Sequence, residues 1–144
     1  WMFSGCYCLT SLDLKNFNTQ NVTDMGVMFS ECTSLTSLDL KNFDTKNVTG
    51  MSWMFCDCAA LTSLDLKNFN TRKVAYMYEM FSGCAALRTI NSNTTWQCQV
   101  SKDMFAGCTK LKGAVAYDKN KVDAKMANPE TGYFTAESTT VRSW

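Results

Sequence analysis

Cysteine is the residue type in this sequence best suited to metal binding, nucleophilic chemistry or disulfide formation, and the chain contains eight. Five cysteines share one position of a sequence repeat: Cys6, Cys32, Cys58, Cys84 and Cys108. Three lie outside that position: Cys8, Cys56 and Cys98. The closest pairs are separated by one residue rather than by the two that are common in zinc sites. We therefore expect no metal site.

The sequence contains no histidine, which excludes Ser-His-Asp and Cys-His catalysis and histidine-ligated zinc. A cysteine nucleophile needs a neighbouring base to form its thiolate, and none of the usual kind is present. We expect a protein that is not an enzyme and that carries no cofactor. The five cysteines at the repeated position are interpreted as a buried thiol ladder, whereas disulfide pairing of the others stays open.

The thiols belong to a repeat that runs through most of the chain. The motif Met-Phe-x-x-Cys begins at residues 2, 28, 54 and 80, at intervals of 26, and again at 104, after 24. Leu-Asp-Leu-Lys-Asn-Phe recurs at 12–17, 38–43 and 64–69. We number the copies 1 to 5 from these starts. Near-identity at a fixed period is typical of stacked repeats.

Each copy divides into two halves. Leu12 and Leu14 alternate with polar residues, as in a strand, and they follow an L-x-x-L-x-L pattern from Leu9. Apolar residues of the other half fall at i, i+3, i+4 and i+7, the spacing of one helix face: Met25, Met28, Phe29 and Cys32. The pattern predicts an α/β repeat solenoid: a right-handed, leucine-rich-repeat-like coil with a parallel β-sheet on one face, short helices on the other and a C-terminal cap.

The period is lost near the C-terminus, which predicts two regions. Residues 1–111 are expected to form the repeat array and residues 112–144 a capping segment that covers its last copy. Apolar residues assigned to that cover are Tyr117, Met126, Tyr133 and Phe134. The chain begins inside a repeat, so we also expect a fragment or a processed form of a longer protein.

The strand face is the candidate binding surface, because residues between the inward leucines must point outward. These residues are Ser11, Asp13 and Lys15; Ser37, Asp39 and Lys41; and Ser63, Asp65 and Lys67. Strands about 4.8 Å apart would place the aspartates in one column and the lysines in another. Such a face could recognise a partner, bind cations weakly through its aspartates, or be a solvated sheet that neutralises its own charge.

Four aromatic residues do not fit the repeated columns: Trp53, Tyr76, Tyr78 and Trp96. Where exposed, tryptophan and tyrosine are frequent anchors of protein partners, although isolated exposed aromatics usually have no role. They are therefore a second set of candidate contacts.

The segment from Met28 to Met51 resembles the repeat of BspA-like bacterial surface proteins, a leucine-rich-repeat variant. The shared pattern is M-F-x-x-C-x-x-L-x-x-L-D-L-x-x-F-x-T-x-x-V-T-x-M, and the resemblance covers about residues 1–111. It implies an extracellular or cell-surface location and an adhesive role, and it supplies no catalytic residues.

These observations predict a non-enzymatic interaction or adhesion module that binds a protein or glycan, of a host or a neighbouring cell, through the repeat face. The alternative is a structural unit of a stalk or filament that associates with itself. A formal charge of +1 gives no basic patch for nucleic acid. No apolar run approaches the roughly 20 residues that span a bilayer, so no membrane insertion of this segment is expected.

Overall fold

The computed structural model describes residues 2–137, and most of that range is turns and irregular backbone. Its regular elements are the strands β1 (Ser63–Asp65), β2 (Thr89–Asn91) and β3 (Phe134–Thr135), and a 3-10 turn, η1 (Ala124–Met126). The three strands form one parallel sheet in the order β1-β2-β3, with Leu64 opposite Ile90 and Ile90 opposite Phe134.

The predicted fold class is therefore wrong. Residues 2–137 contain no α-helix, so no helical face exists there, and the sheet has three short strands instead of running along every copy. Between 10–15 and 36–41 the backbones share a single hydrogen bond, from the N–H of Thr36 to the carbonyl of Thr10 at 3.2 Å.

The helices are absent because alternate backbone N–H groups donate hydrogen bonds to carbonyl groups of the next copy. The N–H of Phe29 donates to the carbonyl of Met54 at 2.9 Å, and that of Glu31 donates to Cys56 at 2.7 Å. The N–H of Ser30, between them, bonds locally to Val27 at 3.1 Å. An α-helix needs each N–H to bond the carbonyl four residues earlier, so this alternation excludes it.

Left-handed backbone in the same segment also interrupts any helix. Val27 has φ of 65° and Glu31 has φ of 62°, conformations that right-handed helices do not contain. The equivalent positions of the other copies behave alike: Gly5, Trp53, Asp57, Glu79, Gly83, Asp103 and Gly107. Each Met-Phe-x-x-Cys segment is thus a series of tight turns that bonds to its neighbours.

Successive copies nevertheless share one interior. Phe29, Phe55, Phe81 and Phe105 are fully buried and stack, with ring centroids 5.8, 5.6 and 5.4 Å apart along the series. Leucines of the other half lie in the same cluster. The turns therefore bury the same apolar residues that the helical spacing placed on one face. Their backbone hydrogen bonds differ from those of a helix, because many of them run to the next copy.

Residues 112–137 of the C-terminal segment pack on copy 5, and residues 138–144 of the predicted cap lie outside the described residues. The N–H of Phe105 donates to the carbonyl of Val122 at 3.0 Å, in place of a further copy. Tyr133 meets the Phe105 ring edge-on at 5.3 Å, and Phe134 meets Trp96 at 4.8 Å. The division of the chain at residues 111 and 112 stays a prediction. Over the described residues, no helix has the length and apolarity to cross a membrane.

Candidate binding surface

The nine strand-face residues are all exposed on one side of the array. Leu14, Leu40 and Leu66 are buried behind them, which fixes the direction in which the polar residues point. A shallow concavity of about 430 Å³ lies across copies 2 and 3. Its polar lining consists of Ser37, Asp39, Lys41, Ser63, Asp65, Lys67 and Asn68.

Each aspartate of this face is held by its own copy. Asp39 Oδ1 accepts from the backbone N–H of Lys41 at 3.0 Å, and its Oδ2 lies 3.6 Å from Lys41 Nζ. The pairs Asp13–Lys15 and Asp65–Lys67 repeat this arrangement, with ion-pair distances of 3.7 and 3.5 Å. Each aspartate of the expected acidic column is therefore paired with the lysine of its own copy.

Lys67 has a second carboxylate partner. Its Nζ lies 3.0 Å from Glu137 Oε2, and this hydrogen bond raises the pKa of the lysine. The pairs are solvent-exposed, and ion pairs of this kind contribute little to stability. A ligand that replaces them would therefore lose little on binding.

The aspartates do not converge on a cation site. Over residues 2–137, no group of three or more His, Cys, Asp or Glu side chains has the arrangement to hold a metal ion. Each carboxylate already accepts from a backbone N–H and faces a lysine, which leaves it poorly placed to share an ion with its neighbours.

The repeated cysteines form a ladder of hydrogen-bonded thiols. Cys32, Cys58, Cys84 and Cys108 are fully buried, and Cys6 is half-buried. Each buried Sγ donates to a phenylalanine carbonyl of the preceding copy, at distances of 3.1, 3.0, 3.1 and 3.0 Å along the series. All eight cysteines are free thiols.

Burial keeps these thiols protonated. Desolvation raises the pKa of Cys58 and of Cys108 to about 12, and it raises that of Cys84 well above its ordinary value. Cys56, outside the ladder, also has a pKa of about 12, because burial and then the charge of Asp57 disfavour its thiolate. These four thiols are therefore not activated as nucleophiles.

Alkylation of the folded protein is therefore expected to be selective. With iodoacetamide at pH 8, the exposed Cys8 reacts first, while Cys58 and Cys108 resist because they are buried and their raised pKa keeps them protonated. Mass spectrometry of the digested protein after timed quenching measures each site. Urea is the control, since it should make all eight equally reactive. Rapid native labelling of Cys58 would contradict the ladder.

The off-pattern aromatics separate into core and surface. Trp96 is 1% exposed and packs among core rings, so it is not available to a partner, and its Nε1 has no hydrogen-bond partner within residues 2–137. Trp53 is 40% exposed and Tyr76 is 52% exposed, and Tyr78 is half-buried beside them.

The three surface aromatics, which the sequence had named as candidate contacts, line one cleft together, and the sequence did not predict that cleft. Its other lining residues are Asp24, Gly26, Val27 and Ser52. The signal that could have found it is a change of size at equivalent positions: Gly26 and Ser52 precede Tyr78 by 52 and 26 residues, and Gly50 precedes Tyr76 by 26.

Comparison with known proteins identifies one family. The profile of a family described as "Mycoplasma protein of unknown function, DUF285", which is associated with BspA-like repeats, matches residues 1–118. No curated protein and no solved structure matches the chain. Because the match covers most of the sequence and includes all five Met-Phe-x-x-Cys motifs, the chain belongs to the DUF285 family, a surface-type repeat family of unknown function.

Proposed function

We propose that this chain is a non-enzymatic interaction module of a BspA-like cell-surface protein, with a sequence repeat of the leucine-rich type. It acts outside the cell as an adhesive segment and binds a protein or a glycan through the strand face.

The observation that carries this proposal is the threefold display of one Ser-Asp-Lys triplet beside a concavity. Three copies expose the same three side chains, and two of these copies line the volume of about 430 Å³. An extended ligand with repeating polar groups would meet the same contacts at each copy, and linked weak contacts add up to useful affinity.

The chemistry of the face fits polar recognition. The lysine ammonium and the serine hydroxyl donate hydrogen bonds, whereas the aspartate carboxylate accepts them. The loose Asp–Lys pairs, at 3.5–3.7 Å, leave these groups able to exchange partners. The absence of histidine and the protonated state of the buried thiols support a binding role over a catalytic one.

A pair of matched double variants tests the proposal. Asp39→Ala/Lys41→Ala removes one pair inside the concavity. Asp44→Ala/Lys46→Ala removes a similar Asp-x-Lys pair, at 3.2 Å, that does not line it. Both proteins are titrated against purified extracellular-matrix proteins and a printed glycan array.

We expect the first variant to weaken binding of the ligand identified with the unchanged chain by at least about tenfold, with the melting temperature unchanged, and the second to bind normally. Unchanged binding together with a lowered melting temperature would instead identify a solvated face with a structural role. Light scattering over a concentration range addresses the self-associating alternative, which predicts growth of assemblies without any added ligand.

A further inference from the structure

A second cleft, which shares no residue with the strand face, is lined by three aromatic side chains and one carboxylate, that of Asp24. It encloses about 430 Å³, a volume within the range of small-molecule sites. Trp53 and Tyr76 are its most exposed large side chains. Such exposed rings are unusual in this molecule, where most aromatic residues belong to the core cluster.

The indole of Trp53 is fixed in place by two contacts. Its ring stacks on Tyr78 with centroids 5.8 Å apart and planes 13° from parallel. Its Nε1 donates to Glu79 Oε2 at 3.0 Å. A carboxylate that accepts from the indole N–H increases the electron density of the ring, which strengthens the attraction of the ring for a cation.

Small residues open the cleft and place a carboxylate in it. Asp24 Oδ1 accepts from the N–H of Gly26 at 2.8 Å. A Cβ atom at Gly26 would lie 3.0 Å from this oxygen, and one at Gly50 would lie 3.1 Å from it. The carboxylate of Asp24 therefore rests over two glycines, beside the aromatic wall.

The charge of the cleft is negative. Asp24 lines it, the Glu79 carboxylate accepts from the indole N–H of Trp53, and no basic side chain is among the described residues that line it. In the next copy, the position equivalent to Tyr78 is occupied by Lys102, but this lysine does not line the cleft.

We propose that this cleft binds an alkylated ammonium group. Methylated nitrogen presents an apolar surface to the aromatic rings while its charge is attracted both by their faces and by the Asp24 carboxylate. A primary ammonium is more strongly hydrated than an alkylated one, so it loses more hydration free energy when it enters an aromatic site. A neutral sugar could stack on the same rings, but it would gain nothing from the net negative charge.

The first test compares two ligands of equal shape on the unchanged protein. Choline is titrated by calorimetry, and its neutral carbon analogue 3,3-dimethylbutan-1-ol is titrated in parallel. We expect choline to bind at least about tenfold more tightly, because only the charge differs. Equal affinities, or no binding of choline, would overturn the proposal. Methyl glucoside provides the sugar arm, and tighter binding of it than of choline would also overturn the proposal.

Single variants locate the binding. Asp24→Asn keeps an oxygen for the Gly26 N–H but removes the charge, and we expect at least a tenfold loss of choline affinity. Trp53→Ala should abolish binding. Trp53→Phe, which keeps a ring but loses the bond to Glu79, should give an intermediate loss. Tyr7→Ala is the control, since Tyr7 is an exposed tyrosine that bonds Glu31 outside the cleft.

The variants also separate this site from the strand face. Asp39→Ala/Lys41→Ala should leave choline binding unchanged, whatever it does to a protein or glycan ligand. Normal choline affinity in Asp24→Asn and Trp53→Ala, with both proteins folded by circular dichroism, would overturn the assignment to this cleft.

Discussion

Phe55→Ala is expected to lower the free energy of unfolding by about 3–5 kcal/mol, the range measured for truncation of large buried aromatics. The side chain is fully buried between Phe29 and Phe81, whose ring centroids lie 5.8 and 5.6 Å away. The cavity left by the ring opens between two copies that cannot close on each other, because backbone hydrogen bonds on both sides fix their spacing. Urea unfolding followed by circular dichroism measures the loss.

Phe55→Leu is the graded control, because it keeps most of the apolar volume while it removes the stacking. It should cost less than half as much as the alanine variant. An m-value that stays constant would show that the chain still unfolds as a unit. A loss under about 1 kcal/mol for Phe55→Ala would contradict the continuous interior. Truncation of a buried ring lowers stability that little only where the surrounding residues can collapse into the cavity.

The sequence predicted which side chains are buried better than it predicted the backbone that buries them. Met25, Met28, Phe29 and Cys32 are buried, as their spacing requires, but they lie on turns and irregular backbone instead of a helix. A series of turns with local i to i−3 bonds brings the same positions to one side as a helix does. Apolar spacing alone therefore does not separate the two conformations.

One feature of the sequence does separate them. Gly5, Gly83 and Gly107 occupy a single position inside the Met-Phe-x-x-Cys motif, and all three have positive φ. Glycine at a repeated position within a proposed helix weakens that helix and favours left-handed backbone. Glu31 and Asp57 hold the same conformation in the other copies, at φ of 62° and 59°, which obscures the signal.

The candidate surfaces show a similar division. The exposure of the Ser-Asp-Lys triplets was predicted from their alternation with leucine. In an extended chain, a residue between two inward-pointing side chains points outward. The pairing of Asp39 with Lys41 inside one copy depends on a turn that bonds the carboxylate to the N–H two residues on, a detail that stacked ideal strands do not contain. The aromatic cleft exists because some copies carry small residues at positions where the next copy carries an aromatic residue. The repeat period alone does not predict where such a cleft forms.

Gly113→Ala is expected to detach the C-terminal segment and to cost about 3 kcal/mol or more, the upper range for insertion of atoms into a packed site. A Cβ atom at Gly113 would overlap backbone atoms of Tyr133 and Phe134. Backbone cannot rotate away as a side chain can, so residues 133–134 must move. That movement removes the contact of Tyr133 with Phe105 and the pairing of β3 with β2.

Gly107→Ala is the matched control, because it tests glycine conformation without a collision. Its Cβ atom would lie 3.4 Å from the nearest atom, the backbone N of Gly83, so only its φ of 78° opposes the change, at about 1–2 kcal/mol. Urea unfolding compares the two variants, and hydrogen exchange reports where each one acts. In Gly113→Ala the Phe105 amide, which bonds to Val122, should exchange faster while the Phe55 amide, which bonds to Met80, stays protected. Equal losses in both variants, or unchanged exchange at Phe105, would mean that the segment does not depend on this close approach.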